Sequence, residues 1–181
     1  ENFDENLGRI LKTLDMQGLS EDTIVIFLSD NGPNGYRYNG DMKGKKGSVH
    51  EGGVRVPLFI RWPDKIEQRS IVRKIASHID ILPTVAEMCD VTTDKCLELD
   101  GKSLMPLIKG ESCNWPDRTI FTFPRGPAWS FQGAARTQRW RAVKKKEKWM
   151  LFDMVSDPHE DIDVSSQHPE IISRLSTNYT K

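Results

Sequence analysis

The chain has 181 residues, 26 basic and 26 acidic, so its formal net charge is zero with four histidines besides. That balance excludes a polybasic nucleic-acid binder or membrane-surface protein, since both need an excess of positive charge. At 37% hydrophobic residues the composition supports a packed core, and no apolar run approaches the roughly 18 to 20 residues of a membrane span.

Phe3, Leu7, Ile10, Leu11 and Leu14 fall at helical spacing and predict an amphipathic helix to about Gln17, with Gly18 as its stop. The pattern starts almost at the first residue, with no strand or linker before it. Residues 23–28, Thr-Ile-Val-Ile-Phe-Leu, form a continuous apolar run without alternation, which predicts a strand buried on both faces, expected to be a parallel central strand. It runs into Ser29-Asp30-Asn31-Gly32-Pro33 and a long polar, glycine-rich loop through Gly53, and long loops inside compact domains usually carry function. A second buried strand is expected over 56–62, closed by Pro63. Asp80 is expected to N-cap a helix carrying Ile81, Leu82, Val85 and Met88, with Pro83 in its first turn. This order of helix, strand, loop, strand and helix predicts an α/β layer architecture.

From about residue 111 the character changes. Short strands are expected over 118–123, 133–143 and 149–154, the last pairing back across Lys144-Lys145-Lys146-Glu147-Lys148, followed by a terminal helix over 169–179. The organisation expected is therefore 1–112, the C-terminal portion of an α/β domain, and 113–181, a small antiparallel sheet plus helix. Cys89 and Cys96 are close enough for a small disulfide loop, free thiols being the alternative, and Cys113 makes the count odd. Asn178-Tyr179-Thr180 is a glycosylation sequon of low specificity.

In open α/β sheets, ligands bind beyond the carboxyl ends of the strands. Asp30 and Asn31 stand at such an end and offer a carboxylate and an amide carbonyl, hard donors that suit Ca²⁺ or Mg²⁺. The alternative is an ordinary Asp-Asn-Gly-Pro turn. The loop then supplies Lys43, Lys45 and Lys46 among Gly40, Gly44 and Gly47, followed by His50, Glu51 and Arg55. Lysines on a glycine-rich backbone suit a tetrahedral oxyanion, although the P-loop spacing is absent. For each lysine the alternative is a solvated side chain, and for His50 a hydrogen-bonded loop residue.

Several blocks together resemble the second half of a formylglycine-dependent (type I) sulfatase of the alkaline phosphatase superfamily. They are Ser29-Asp30-Asn31-Gly32-Pro33, then Gly44-Lys45-Lys46-Gly47-Ser48-Val49-His50-Glu51-Gly52-Gly53-Val54-Arg55-Val56-Pro57, His78-Ile79-Asp80-Ile81-Leu82-Pro83-Thr84, Leu99-Asp100-Gly101-Lys102-Ser103-Leu104, and Leu151-Phe152-Asp153-Met154 with Asp157-Pro158-His159-Glu160. The resemblance implies a sulfatase or arylsulfatase sandwich, with Asp30 and Asn31 as calcium ligands, Mg²⁺ being the other cation. It makes Lys46 the catalytic lysine that contacts the substrate sulfate; His50, which follows on the same loop, is expected as a further substrate-binding residue without that support. Glu51 and the glycines would shape the loop, and Arg55 would form a structural ion pair. It also implies a sulfated small molecule or carbohydrate as substrate, no nucleic-acid partner, and an extracytoplasmic location, periplasmic, lysosomal or secreted.

The departures are as informative. No C/S-x-P-x-R sequence, the source of formylglycine, occurs in the 181 residues. That nucleophile and the family's first calcium-binding aspartates are therefore expected in an N-terminal half of the same protein, the present chain being a C-terminal fragment that is inactive alone. Two alternatives stand beside this reading. One is a phosphodiester or phosphonate monoester hydrolase of the same superfamily. The other is a non-catalytic module binding a sulfated glycan through residues 136–148, which carry seven positive charges and one negative. Substrate choice would draw on His50, Arg125, Trp129 and Arg139.

Overall fold

The computed structural model describes residues 2–35, 37–92, 98–111, 115–124 and 132–179. Cys96, Cys113, Arg125, Trp129 and Thr180 lie outside them, as does the expected domain boundary at 112/113. The described chain forms two compact units: 1–29 with 57–72, and 30–56 with 73–181.

In the first unit, α1 (Asn2–Met16) ends as its sequence requires. Gly18 takes φ +66°, and the amides of Gly18 and Leu19 return to the carbonyls of Asp15 and Leu14 at 3.1 and 2.9 Å, so the last carbonyls of the helix are satisfied. Leu7, Leu11 and Leu14 are half-buried, while Phe3 and Ile10 on the same stripe stay exposed. β1 (Val25–Leu28) pairs with β2 (Leu58–Arg61), Val25 opposite Arg61 and Leu28 opposite Leu58. The pairing is antiparallel, which corrects the expected parallel strand. All four β1 residues are half-buried rather than fully enclosed. A continuous apolar run reports burial of both faces, but strand direction is set by where the connecting chain returns.

In the second unit, α2 (Glu51–Val54) is a single turn, and a 3₁₀ turn (His78–Asp80) leads into α3 (Ile81–Met88). After the short α4 (Met105–Ile108) comes a four-stranded antiparallel sheet of β3 (Ile120–Thr122), β4 (Gln132–Arg136), β5 (Trp140–Lys145) and β6 (Lys148–Asp153), in sequential order. The single strand expected over 133–143 is in fact two strands, broken at 137–139. There the Thr137 amide donates to the Trp140 carbonyl and the Trp140 amide to Thr137 Oγ1, at 2.8 and 3.1 Å. The lysine-rich turn is a two-residue hairpin at Lys146 and Glu147, with Lys145 opposite Lys148 and Lys146 at φ +56°. The terminal helix α5 (Pro169–Tyr179) falls where its periodicity places it.

Alternation along β4 to β6 gives the sheet two covered faces. Ala135, Ala142 and Leu151 pack with Leu175 of α5 on one face. Ala134, Val143 and Phe152 on the other receive Val49 from the loop before α2. Burial of Leu175 alone contributes about 1.5–3 kcal/mol. Where α5 crosses β4, Tyr179 donates its hydroxyl to the Gln132 carbonyl at 3.0 Å, and a Cβ on Gly133 would stand 1.9 Å from that hydroxyl oxygen. Gly133→Ala is therefore expected to destabilise by about 1–3 kcal/mol through overpacking, read as a lowered denaturation midpoint at unchanged m-value.

Asp80 also departs from its expected role. It precedes α3, but its side chain makes no cap bond to that helix. Instead the fully buried carboxylate accepts the Ser77 amide at 2.7 Å, the Lys102 amide at 2.9 Å and both terminal nitrogens of Arg118. A buried anion needs several donors, and the helix amides alone do not supply them here. Cys89, at the end of α3, is exposed with a free thiol.

Candidate functional site

The loop between β1 and β2 is compact rather than loose. The Gly32 amide donates to the Gly53 carbonyl at 2.9 Å, the Lys46 amide to the Pro33 carbonyl at 3.0 Å, and the Gly52 amide to the Lys43 carbonyl at 2.8 Å. These bonds set the turn carrying Asp30 and Asn31 beside the turn carrying Lys46. Such close backbone approach explains the paired glycines, since a Cβ on Gly52 would meet Asn39 Nδ2 at 2.5 Å and one on Gly53 the Ser48 carbonyl oxygen at 2.3 Å. Asn39 closes the turn from within, donating Nδ2 to the carbonyls of Met42 and Gly44 at 2.8 and 3.1 Å.

Asp30 and Lys46 are exposed and Asn31 is half-buried. The turn thus offers one carboxylate and one amide carbonyl, a donor set suited to a hard cation. Among the described residues no group of three or more His, Cys, Asp or Glu gathers as a metal site, so Asp30 and Asn31 fit part of a calcium or magnesium shell and need further oxygen ligands. The His50 side chain is 22% exposed, its Nδ1 2.5 Å from Glu160 Oε2 and its ring edge-on to Phe152. Any contact His50 makes with substrate therefore falls to Nε2. Arg139, exposed, pairs with Asp153 at 2.9 Å and lies over the Trp140 ring.

Beneath the loop lies a buried ionic cluster that sequence reasoning missed. Glu51, at the start of α2, accepts Arg141 Nη1 at 2.8 Å and lies 3.4 Å from Arg136 Nε. Arg55 approaches the same carboxylate at 3.7 Å, the ion pair expected of it. Arg141 also donates Nη2 to the Val49 carbonyl at 2.5 Å and sits 3.4 Å from Glu160 Oε1. Glu160, fully buried, accepts the Glu51 amide at 2.6 Å. Burial pulls the guanidiniums of Arg141 and Arg136 below their ordinary value, and Glu51 opposes that shift in both. An arginine so placed stays charged. One signal for the cluster was present: Arg141 alternates with Val143 on one face of β5, opposite Arg136 on β4. Of the seven cations in 136–148, Arg136 and Arg141 point into the cluster and Arg139 is paired with Asp153, while Lys145, Lys146 and Lys148 stay exposed at the hairpin.

Over residues 1–91 the chain matches the family model described as Sulfatase, and it belongs to the sulfatase family. It is 38% identical to mouse steryl-sulfatase over 62% of the chain, and 31% identical to human arylsulfatase A over 96% of it. It is also 27% identical to an N-acetylgalactosamine-6-O-sulfatase of Bacteroides thetaiotaomicron over 96% of the chain. Among solved structures, Ps i-CgsB superposes with a TM-score of 0.88 at 26% identity, covering 97% of this chain and 39% of that one. The fold is thus that of the sulfatases, with a small C-terminal sheet and helix. The chain spans only part of these relatives: 20% of the mouse enzyme, 35% of the human one and 39% of the bacterial one. No helix among the described residues is long and apolar enough to cross a membrane.

Proposed function

We propose that the chain forms part of a sulfatase that hydrolyses sulfate esters, with Asp30 and Asn31 holding a calcium ion and Lys46 contacting the sulfate. The observation that supports this reading is the backbone stitching of the Asp30-Asn31 turn to the Lys46 turn, which sets the two turns side by side with Asp30 and Lys46 exposed. The Lys46 ammonium binds and orients the tetrahedral anion, and offsets charge growing on its oxygens as the S–O bond breaks. Calcium, when bound, supplies positive charge to the same oxygens. His50 adds a donor or acceptor at Nε2, its ring orientation set by Glu160 through Nδ1.

The nucleophile comes from outside these 181 residues, which contain no C/S-x-P-x-R sequence; formylglycine elsewhere in the whole protein fits that gap. The relatives named for steroid, aryl and amino-sugar sulfates support a sulfated small molecule or carbohydrate as substrate; an extracytoplasmic place of work follows from the family resemblance alone. Neither alternative is favoured: no feature of the site selects phosphate over sulfate, and the three arginines of the stretch that a glycan-binding module would use are committed to ion pairs, leaving only the hairpin lysines.

The test is kinetic. In the whole protein, Lys46→Ala is expected to lower kcat/KM for 4-nitrophenyl sulfate by about 10²–10³-fold, with the matched phosphate ester a poorer substrate throughout. An unchanged rate, or a preference for the phosphate ester, would overturn the assignment.

A further inference from the structure

Glu160 lies in the turn after β6, more than a hundred residues along the chain from the loop it touches. Its contacts with that loop are unusually complete. One carboxylate oxygen accepts the Glu51 amide at 2.6 Å, and the other meets His50 Nδ1 at 2.5 Å. Its own carbonyl accepts Lys43 Nζ at 2.5 Å, the same ammonium lying over the Phe152 ring. The next residue back, His159, brings Nδ1 to 3.1 Å from the Asp41 carbonyl. Glu160 itself adopts φ +60°, a left-handed conformation that is uncommon for a non-glycine residue. These contacts fall at 41, 43, 50 and 51, on both sides of Lys46. Arg141 grips Glu51 and Val49 from the sheet beneath.

We infer that Glu160 is a positioning residue for Lys46: the turn after β6 latches both flanks of the lysine loop and holds its ammonium in register with the Asp30-Asn31 turn. The inference rests on the proposed role of Lys46. Physically, the loop between residues 43 and 50 has few apolar anchors besides Val49. Its geometry therefore depends on these polar bonds, of which those of the buried Glu160 carboxylate and of the Lys43 ammonium are charge-assisted and stronger than neutral ones. A sub-ångström shift of a charge aimed at the reacting anion costs rate far out of proportion to its cost in stability.

Two measurements on the whole protein decide the point. The first is hydrogen exchange in Glu160→Ala. The amides of Lys46 and Gly52, which do not touch Glu160, are expected to exchange at least about 10-fold faster, with those of Ala142 and Leu151 in the sheet unchanged. Should Glu160→Ala not fold, Glu160→Gln, which keeps the volume and one acceptor, is read in the same way. Unchanged exchange in the loop, or equal acceleration in loop and sheet, would overturn the inference. The second is a double-mutant cycle. Glu160→Gln is expected to lower kcat/KM for 4-nitrophenyl sulfate by about 10- to 100-fold, and most of that loss should vanish in a Lys46→Ala background. Additive losses would mean that Glu160 acts independently of Lys46. A whole protein without sulfatase activity would sink the functional reading, and the exchange result would still decide whether Glu160 holds the loop.

Discussion

Arg141→Ala is expected to lower stability by about 3–5 kcal/mol, the cost of breaking a buried ion pair by removing one partner. Arg141 is the largest fully buried side chain among the described residues. Its loss would leave Glu51 and Glu160 as buried carboxylates with only Arg136, the more distant Arg55 and the His50 ring nearby, and would strip the Val49 carbonyl of its donor. Arg141→Met, which restores much of the volume, should recover little, because the cost lies in the unpaired charges rather than in the cavity. Arg141→Lys should also fall short, since a single ammonium cannot reach Glu51, Glu160 and Val49 together. Denaturant unfolding of the three variants checks this: losses below about 1 kcal/mol for both Ala and Met would show that the cluster contributes specificity of loop placement rather than stability.

Asp80→Ala is expected to cost a similar amount, about 3–5 kcal/mol by the same argument, and it carries a pH signature that the first prediction lacks. Burial raises the Asp80 carboxyl, but Arg118 and the amides of Lys102 and Ser77 outweigh it and hold the group below its ordinary 3.8. A depressed folded value means that the unfolded chain binds the proton more readily. The stabilisation is therefore fully present above the ordinary carboxylate range and is lost as pH falls through the folded value. Thermal unfolding of the wild type and of Asp80→Asn should differ most near neutral pH, with the gap closing below about pH 4. A gap that stays constant down to pH 2 would show that ionised Asp80 is not the source. The structural reach of this carboxylate explains the size of the effect. It ties the turn before α3 to residue 102 and to Arg118, and Thr84 extends the link by accepting the Leu104 amide at 2.9 Å. Gly101 lies so close beneath Ile79 that a Cβ there would stand 1.9 Å from its carbonyl oxygen.

Much of this was legible in the residues themselves, for local reasons. Helical spacing and Gly18 located α1 and its end, and periodicity alone placed α5, because both depend on interactions within a few residues along the chain. The resemblance of the Asp30-Asn31 and Lys46-to-Arg55 blocks to the sulfatases identified the family, since those spacings encode turns and close backbone approaches that few other residues tolerate. What sequence could not supply was long-range. The run at 25–28 shows that a strand is apolar on both faces, yet its antiparallel partner at 58–61 is chosen by the path of the intervening loop. Arg136 and Arg141 look in sequence like members of a solvated basic stretch, and Glu160 like one more charge in a turn. Only the tertiary structure brings them against Glu51 and His50, because the pairing of charges about 85 to 110 residues apart is decided by how the β4–β6 sheet meets the lysine loop; the low dielectric of that contact then makes each of them matter.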